Sequence, residues 1–228
     1  MCGRFGLSAT PEQLALLLDI DPGDIPEMAP RFNIAPTTQA AVVRHNADVR
    51  RKVHLVRWGL VPSWAKDQKI GNRLINARAE TIAEKPAYRS AFKRRRCLVL
   101  TDGFYEWHKV EGEKTKQPYH FGLTDDSPFA LAGLWERWQP DQSDEPLDTF
   151  TIVTTEANAV LAPVHHRMPV IVSPEDYDTW LDRETPPDEA QGLLRPFAPD
   201  PMVRWPVSQL VNSPRNDDPR CREMVEAG

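Results

Sequence analysis

Proline is spread along the whole of this sequence, and this limits what the chain can fold into. There are 22 prolines among 228 residues. A proline inside a helix removes a backbone hydrogen bond and clashes with the preceding turn. We therefore expect many turns and few long helices.

Four short helices are predicted from start signals and apolar spacing. Thr-Pro-Glu-Gln at 10–13 offers an N-cap at Thr10, a proline at the first helical position and a capping box. Leu14, Leu17 and Leu18 would form the buried face of this helix. The other three helices are predicted at Pro86–Lys93, from Ser173 to Leu181, and at Pro187–Leu194.

Short β-like runs outnumber the helices and do not alternate strictly with them, which favours an α+β fold with a mainly antiparallel, barrel-like sheet and a few peripheral helices. We expect a single domain over residues 1–228. The polar segment Ser213–Gly228 is expected to be an extended or disordered tail. The predicted strands are Ala40–Arg44, His54–Trp58, Cys97–Thr101, Tyr119–Leu123, Phe129–Leu134, Thr149–Thr154 and Pro169–Val172.

Composition narrows the class of protein without deciding its partner. The net charge is −5, although a local basic groove can still bind nucleic acid in an acidic protein. No apolar stretch is long enough for a membrane span or a signal peptide, so we expect a cytosolic protein, or a nuclear one in a eukaryote.

Cys2, Cys97 and Cys221 match no metal template and are expected to be free thiols, with Cys97 in the core. The run Lys93–Arg96 is expected to be a solvated helix end.

Cys2 has a special chemistry if Met1 is removed, because an α-amine and a thiol then lie on adjacent carbons. The reference pKa of an α-amine is about 7.7–8.0, against about 10.4 for lysine. More of the amine is therefore neutral and able to condense with an aldehyde to a Schiff base. The thiol can then add to the imine carbon and close a thiazolidine ring. Met-Cys alone also fits an arbitrary second residue, an N-terminal-nucleophile hydrolase or simple ligand binding.

Six stretches in the same order resemble the SRAP family of SOS-response-associated proteins, from Cys2 to about Pro219. Val211-Asn212 and Asn216-Asp217 fit the same pattern. The six stretches are Cys2-Gly3-Arg4-Phe5, Arg31-Phe32-Asn33-Ile34-Ala35-Pro36, Trp58-Gly59-Leu60-Val61-Pro62-Ser63-Trp64, Asn76-Ala77-Arg78-Ala79-Glu80-Thr81, Gly103-Phe104-Tyr105-Glu106-Trp107 and His165-His166-Arg167-Met168-Pro169.

The resemblance implies a sensor of abasic sites in single-stranded DNA that protects the lesion during replication. By motif position, Cys2 would form the thiazolidine with the ring-opened sugar, and Asn76, Glu106 and His165 would complete the catalytic set. From their chemistry, His165 is the natural acid–base group for opening the sugar ring. Glu106 could shuttle protons, and Asn76 could orient the amine or the sugar hydroxyls.

Six further residues are predicted to contact DNA. Arg4 and Arg78 lie two residues from Cys2 and Asn76 and could hold phosphates. Trp64 and Trp107, like Trp58, offer faces for base stacking. The resemblance adds Asn33, and it suggests that Pro36 belongs to a wedge that blocks a continuous duplex.

Three functions compete on the sequence alone. The first is a crosslinking enzyme with weak lyase activity on abasic DNA. The second is an N-terminal-nucleophile peptidase or amidase, and the third is a non-covalent single-strand binding module. We expect no metal or organic cofactor. We also expect a monomer that associates with replication proteins, near the nucleoid in a bacterium.

Overall fold

The computed structural model describes residues 2–46, 48, 50–109, 111–112, 115–141 and 145–226. The strands are β1 Arg4–Leu7, β2 Arg31–Ile34, β3 Gln39–His45, β4 Arg51–Trp58, β5 Asn76–Arg78, β6 Arg96–Thr101, β7 Gly103–His108, β8 Gln117–Leu123, β9 Phe129–Trp138, β10 Leu147–Glu156, β11 Arg167–Pro169, β12 Ile171–Val172 and β13 Met202–Pro206. The helices are α1 Pro11–Leu18, α2 Arg89–Arg94, α3 Tyr177–Leu181 and α4 Pro187–Gly192, with short 3-10 turns between elements.

Five strands close into a barrel in the order β10-β4-β3-β6-β9, because β9 pairs with β10 again. All of these pairs are antiparallel except β10 with β4. A second, open sheet has the order β13-β8-β7-β1-β2. The expected α+β fold with a mainly antiparallel, barrel-like sheet is confirmed.

An apolar core joins the two sheets. Trp58 of β4 is fully buried and stacks on Phe150 of β10, with ring centroids 6.2 Å apart. Phe5 of the open sheet packs against the same tryptophan at 5.0 Å. β1 therefore lies directly against the barrel, and this contact fixes where the amino-terminal end of the chain lies.

The end of β10 is flanked by two short strands. Thr154 pairs with Arg78 of β5 in parallel and with Pro169 of β11 in antiparallel, so β5 and β11 lie on opposite edges of β10. Both strands are only three residues long. They bring the segments around 76 and 165 to the same end of the barrel.

The predicted helices are confirmed in place, with shifted ends. Thr10 caps α1 through a complete capping box, and Leu14 and Leu18 are buried while Leu17 is half-buried. The second helix begins at Arg89 rather than at Pro86, because turns occupy the intervening residues. The predicted helix ending at Leu181 is a 3-10 turn followed by α3.

The expectation of a solvated helix end over Lys93–Arg96 is wrong for its last residue. Arg96 is only 3% exposed, and its guanidinium donates to the carbonyl oxygens of Phe92 and Trp180. These carbonyls stabilise the buried charge. Lys93 and Arg94 are exposed, as expected.

All seven predicted strand regions are confirmed as β-structure, although Pro169–Val172 is divided between β11 and β12. The sequence prediction missed five strands, which are polar, short or interrupted by glycine: β1, β2, β5, β7 and β13. Four of these belong to the open sheet and one, β5, carries Asn76. Three of the missed strands, β1, β5 and β7, carry or adjoin the catalytic candidates Cys2, Asn76 and Glu106.

The carboxyl-terminal segment is not the loose tail that was expected. Asp217 accepts hydrogen bonds from the backbone N–H groups of Phe32 and Asn33 at 2.6 and 2.9 Å and pairs with Arg31. Cys221 is fully buried in a cluster with Tyr105 and Val207. Specific polar contacts hold this segment to the open sheet. The polar side chains whose abundance suggested disorder are the ones that make these contacts.

Candidate functional site

Cys2 lies just before β1 and is fully buried. Its backbone carbonyl accepts a hydrogen bond of 2.8 Å from the side-chain amide of Asn76, the first residue of β5. This bond ties the start of the chain to the edge of β10. The other atom of that amide, Asn76 Oδ1, is buried and has no hydrogen-bond partner in the described part of the chain. It is an acceptor available to an incoming O–H or N–H group.

Glu106 lies on β7, the strand next to β1 in the open sheet, where Tyr105 faces Arg4. The carboxylic acid is only 3% exposed. Burial raises the pKa of the Cys2 thiol, and the nearby Glu106 carboxylate raises it further. Burial also raises the pKa of Glu106. Burial thus favours the protonated form of both groups, and the Glu106 carboxylate further disfavours the Cys2 thiolate.

His165 lies two residues before β11 and is half-buried. Burial lowers the pKa of its imidazole, and the Lys116 ammonium lowers it further. The same lysine lowers the pKa of Glu106 against the larger effect of burial. His165 and Glu106 therefore share a charged neighbour. His166 stacks on His165 at 4.4 Å.

The structure thus brings the four predicted catalytic residues to one place from four separate segments. Cys2 bonds to Asn76, Glu106 raises the pKa of the Cys2 thiol, and Lys116 acts on both Glu106 and His165. The set contains a thiol, an amide acceptor, a carboxylic acid and an imidazole. Such a set can transfer protons during addition to a carbonyl group. The individual roles stay predictions.

Two predicted DNA contacts serve the protein's own structure. The Arg4 guanidinium donates to Asn33 Oδ1 at 2.8 Å and to the Val211 carbonyl at 2.7 Å. Asn33 is 1% exposed, and its amide nitrogen donates to carbonyl oxygens of the carboxyl-terminal segment at 2.7–3.2 Å. The Asn33 side chain is thus buried and already bonded within the protein, and its contact with DNA stays a prediction. Arg4 is half-buried and held in place, with part of its guanidinium at the surface.

The remaining predicted contacts differ in exposure. Trp64 is 60% exposed and Arg78 is exposed. Trp107 is half-buried and donates from its ring N–H to Asn212 Oδ1 at 2.6 Å. Pro36 is half-buried in the turn between β2 and β3. Trp58 is fully buried in the core, so the suggestion that it stacks on a base is wrong.

A rigid loop presents Trp64. Gly59 has a φ of 119°, and a Cβ there would lie 2.7 Å from the Gly71 carbonyl oxygen. Only glycine permits this backbone and this close approach. The Trp138 ring N–H donates to the Ala65 carbonyl at 2.7 Å and holds the loop next to the tryptophan. Trp64 is therefore an exposed ring on a fixed backbone.

The sequence interpretation gave no role to Asn212, Asp217 or Arg167, although all three lie in the family motifs. Asn212 bonds to Trp107 105 positions away, Asp217 to Phe32 185 positions away and Arg167 to Glu80 87 positions away, so spacing could not reveal these contacts. Only their place in the family motifs could have pointed to these three residues.

The described residues contain no group of three or more His, Cys, Asp or Glu side chains that could hold a metal ion. Among the described helices, none has the length and apolar character needed to cross a membrane.

Comparison with known proteins decides the family. Residues 1–214 match the sequence profile of the family described as SOS response associated peptidase (SRAP). The chain belongs to the SRAP family. Two SRAP relatives from Bacillus subtilis are the abasic site processing proteins YoaM, 44% identical over 100% of this chain and 98% of the relative, and YoqW, 41% identical over 100% of both. The abasic site processing protein HMCES of Gallus gallus is 36% identical over 87% of this chain and 67% of its own length.

Solved structures give the same fold for this SRAP chain. A crystal structure of a protein from Bacteroides thetaiotaomicron has a TM-score of 0.85 at 25% identity and covers 99% of this chain and 100% of that one. A phage-related protein from Bordetella bronchiseptica has a TM-score of 0.73 at 30% identity and covers 91% of this chain and 95% of that one. The overall fold is thus shared with these two proteins.

Proposed function

We propose that this SRAP protein processes abasic sites in single-stranded DNA by forming a covalent thiazolidine between the lesion and Cys2 after removal of Met1. The observation that carries the proposal is the place of Cys2, held by Asn76 and next to Glu106 at the start of β1. The relatives named as abasic site processing proteins support the substrate class. The crosslink would shield the lesion during replication.

The chemistry balances without a cofactor. The α-amine of Cys2 adds to the sugar aldehyde carbon to give a carbinolamine, which loses one water molecule and leaves an imine. The thiol sulfur then adds to the imine carbon, and its proton goes to the nitrogen. The product is a five-membered ring, and the net change is the release of one water molecule.

Glu106 is suited to both proton transfers. A protonated carboxylic acid can donate to the leaving hydroxyl of the carbinolamine, and the resulting carboxylate can take the thiol proton as sulfur attacks. Burial raises the pKa of Glu106 and thereby favours its acid form. The raised pKa of the Cys2 thiol means that sulfur keeps its proton until this step.

His165 is suited to opening the sugar. An abasic sugar is mostly a closed hemiacetal, and ring opening needs proton transfer at the ring oxygen and at the hydroxyl on C1. Because burial lowers the pKa of His165, its neutral form predominates at neutral pH and can act as a base. Asn76 Oδ1 can accept a hydrogen bond from the free amine or from a sugar hydroxyl.

Exposed side chains around the site would hold the strand. Arg78 can pair with a phosphate, and Trp64 can stack on a base. Trp107 and Arg4 are both held by the carboxyl-terminal segment, and they would form the surface next to Cys2 on which the strand lies. Pro36 would act as the wedge in the turn after β2.

The imine also permits β-elimination at the sugar, so weak strand cleavage accompanies the proposal. We place the protein in the cytoplasm near the nucleoid in a bacterium, or in the nucleus of a eukaryote. It would act as a single-domain monomer alongside replication proteins.

The test is a crosslinking gel with a single-stranded oligonucleotide that contains one abasic site. Wild-type protein should give a band stable to heat and SDS, and Cys2→Ala should give none. Cys2→Ser should lose the stable band and keep an imine that borohydride traps. Cys97→Ala, which alters a buried thiol of the barrel, is the matched control and should crosslink normally.

A Cys2→Ala band as stable as the wild-type band would contradict the proposal. Turnover of peptide or amide substrates, lost in Cys2→Ala, would assign the N-terminal-nucleophile peptidase instead. Lesion-independent binding that is unchanged in Cys2→Ala would assign a single-strand binding module.

A further inference from the structure

A bidentate ion pair joins two segments of the site. The Arg167 guanidinium donates to both carboxylate oxygens of Glu80, at 2.6 and 3.0 Å, and to the Thr154 carbonyl oxygen at 2.6 Å. The Arg167 side chain is 9% exposed and that of Glu80 is 48% exposed. The hydrogen bonds from Arg167 lower the pKa of Glu80, which keeps it charged at neutral pH. Forked pairs of this kind are directional as well as strong.

The pair spans the end of β10. Glu80 lies in the 3-10 turn directly after β5, four residues beyond Asn76. Arg167 is the first residue of β11, two residues beyond His165. Since β5 and β11 flank opposite edges of β10, the ion pair crosses β10 and ties the strand that carries Asn76 to the segment that carries His165.

The backbone of Arg167 contacts the imidazole of His165. The Arg167 N–H donates to His165 Nδ1 at 3.0 Å, and the same nitrogen lies 3.2 Å from the Arg167 carbonyl oxygen. An unprotonated Nδ1 can accept from the N–H, and a protonated Nδ1 can donate to the carbonyl. One residue thus offers a partner to His165 in either protonation state. This suits a group that gains and loses a proton in each reaction.

We propose that Glu80 is a positioning residue for His165, because its carboxylate holds the Arg167 side chain and thereby the backbone groups that partner His165 Nδ1. This inference rests on the proposed function. Glu80 itself touches none of the reacting atoms, and it acts through Arg167.

Loss of Glu80 has a defined effect on His165. The charged and titratable groups that act on His165 are the amino-terminal amine, His166 on its own segment and Lys116 just before β8. The Arg167 carbonyl favours the protonated imidazole, whereas His166 and Lys116 disfavour it. Removing Glu80 leaves the guanidinium unpaired in a buried place, and β11 must move to hydrate it. His165 then loses the Arg167 carbonyl, which favours its protonated form, so its pKa falls.

The experiment measures the crosslinking rate on an abasic oligonucleotide and the titration of His165 by NMR in the same full-length variants. Glu80→Gln keeps the shape and loses the charge, and it should slow crosslinking about tenfold. Glu80→Ala should slow it by up to about 100-fold, the loss that a small misplacement of a reacting group can cause. Glu80→Asp, which keeps a carboxylate, should recover part of the rate. Glu84→Gln, at an exposed carboxylate four residues further on, should match wild type.

In Glu80→Gln the NMR titration midpoint of His165 should move to lower pH, with the circular dichroism spectrum unchanged. A wild-type rate, or an unchanged His165 titration in folded Glu80→Gln, would overturn the inference. If wild-type protein forms no crosslink, the proposed function fails, and the His165 titration still decides whether Glu80 positions the imidazole.

Discussion

The barrel and the open sheet are held together by different forces. Barrel strands such as β6 are buried along their whole length, and α3 covers β6 with the fully buried Trp180. In the open sheet, the side chains of Asn33 and Arg4 donate to carbonyl oxygens of the carboxyl-terminal segment, and Asp217 of that segment accepts from the Asn33 backbone N–H of β2. Apolar burial tolerates small shifts, whereas hydrogen bonds are directional. The difference indicates that the barrel supplies most of the stability, whereas the open sheet positions Cys2 and Glu106 through directional contacts.

The largest expected effect on stability lies in the barrel. Trp180→Ala removes a fully buried ring and its 2.8 Å hydrogen bond to the Cys97 carbonyl. We expect the free energy of unfolding to fall by about 3–5 kcal/mol in urea denaturation. Trp180→Phe should lose less, because it keeps a ring. The folded fraction should still crosslink at the wild-type rate. A crosslinking rate that falls together with the free energy of unfolding would contradict the separate roles of the barrel and the open sheet.

Asp217→Ala tests the open sheet. It leaves two buried N–H groups and Arg31 without their acceptor, and should cost about 1–3 kcal/mol of unfolding free energy. It should slow crosslinking more than Trp180→Ala does, because the segment that holds Arg4 and Trp107 becomes loose. Asp218→Ala, the neighbouring acid with local contacts to Arg220, is the control for this change. Equal crosslinking rates in the two variants would argue against a role for the segment in the site.

His120 gives the open sheet a pH dependence. It is packed between Tyr105 and Trp205, and burial lowers its pKa to about 3. The unfolded chain, with a histidine pKa near 6.5, binds a proton that the folded state excludes. Stability is therefore complete above about pH 6.5 and falls by up to about 1.4 kcal/mol per unit as the pH drops toward 3. Urea midpoints at pH 7 and 5 should differ less in His120→Gln, and a slope equal to wild type would contradict this assignment.

The smallest expected effect is at the cap of α1. Thr10→Ala removes the acceptor for the Gln13 N–H and should cost about 1 kcal/mol. Crosslinking should be unchanged, since α1 belongs to neither half of the site. Thr10→Ser should restore most of the stability. A clear loss of crosslinking in folded Thr10→Ala would show that the site depends on global stability.

Sequence reasoning succeeded where physical signals are local. The capping box at Thr10 and the apolar strands of the barrel depend on residues that are neighbours in the sequence, and both were predicted. The open sheet was missed because strands such as Arg4–Leu7 are short and their partners lie far along the chain. Cys2 was singled out by the chemistry of an N-terminal aminothiol, and Asn76, Glu106 and His165 came from the family resemblance. Contacts such as that of Glu80 with Arg167 join residues 87 positions apart and appear only in the folded chain.

The most direct test of the account is mass spectrometry of the purified adduct. Wild-type protein incubated with an abasic oligonucleotide should lack Met1, and digestion should place the sugar remnant on the peptide that begins with Cys2, with one water molecule lost from the sum of the reactants. Retention of Met1 in the adduct, or attachment at any other residue, would contradict the claim that the aminothiol of Cys2 is the reacting group.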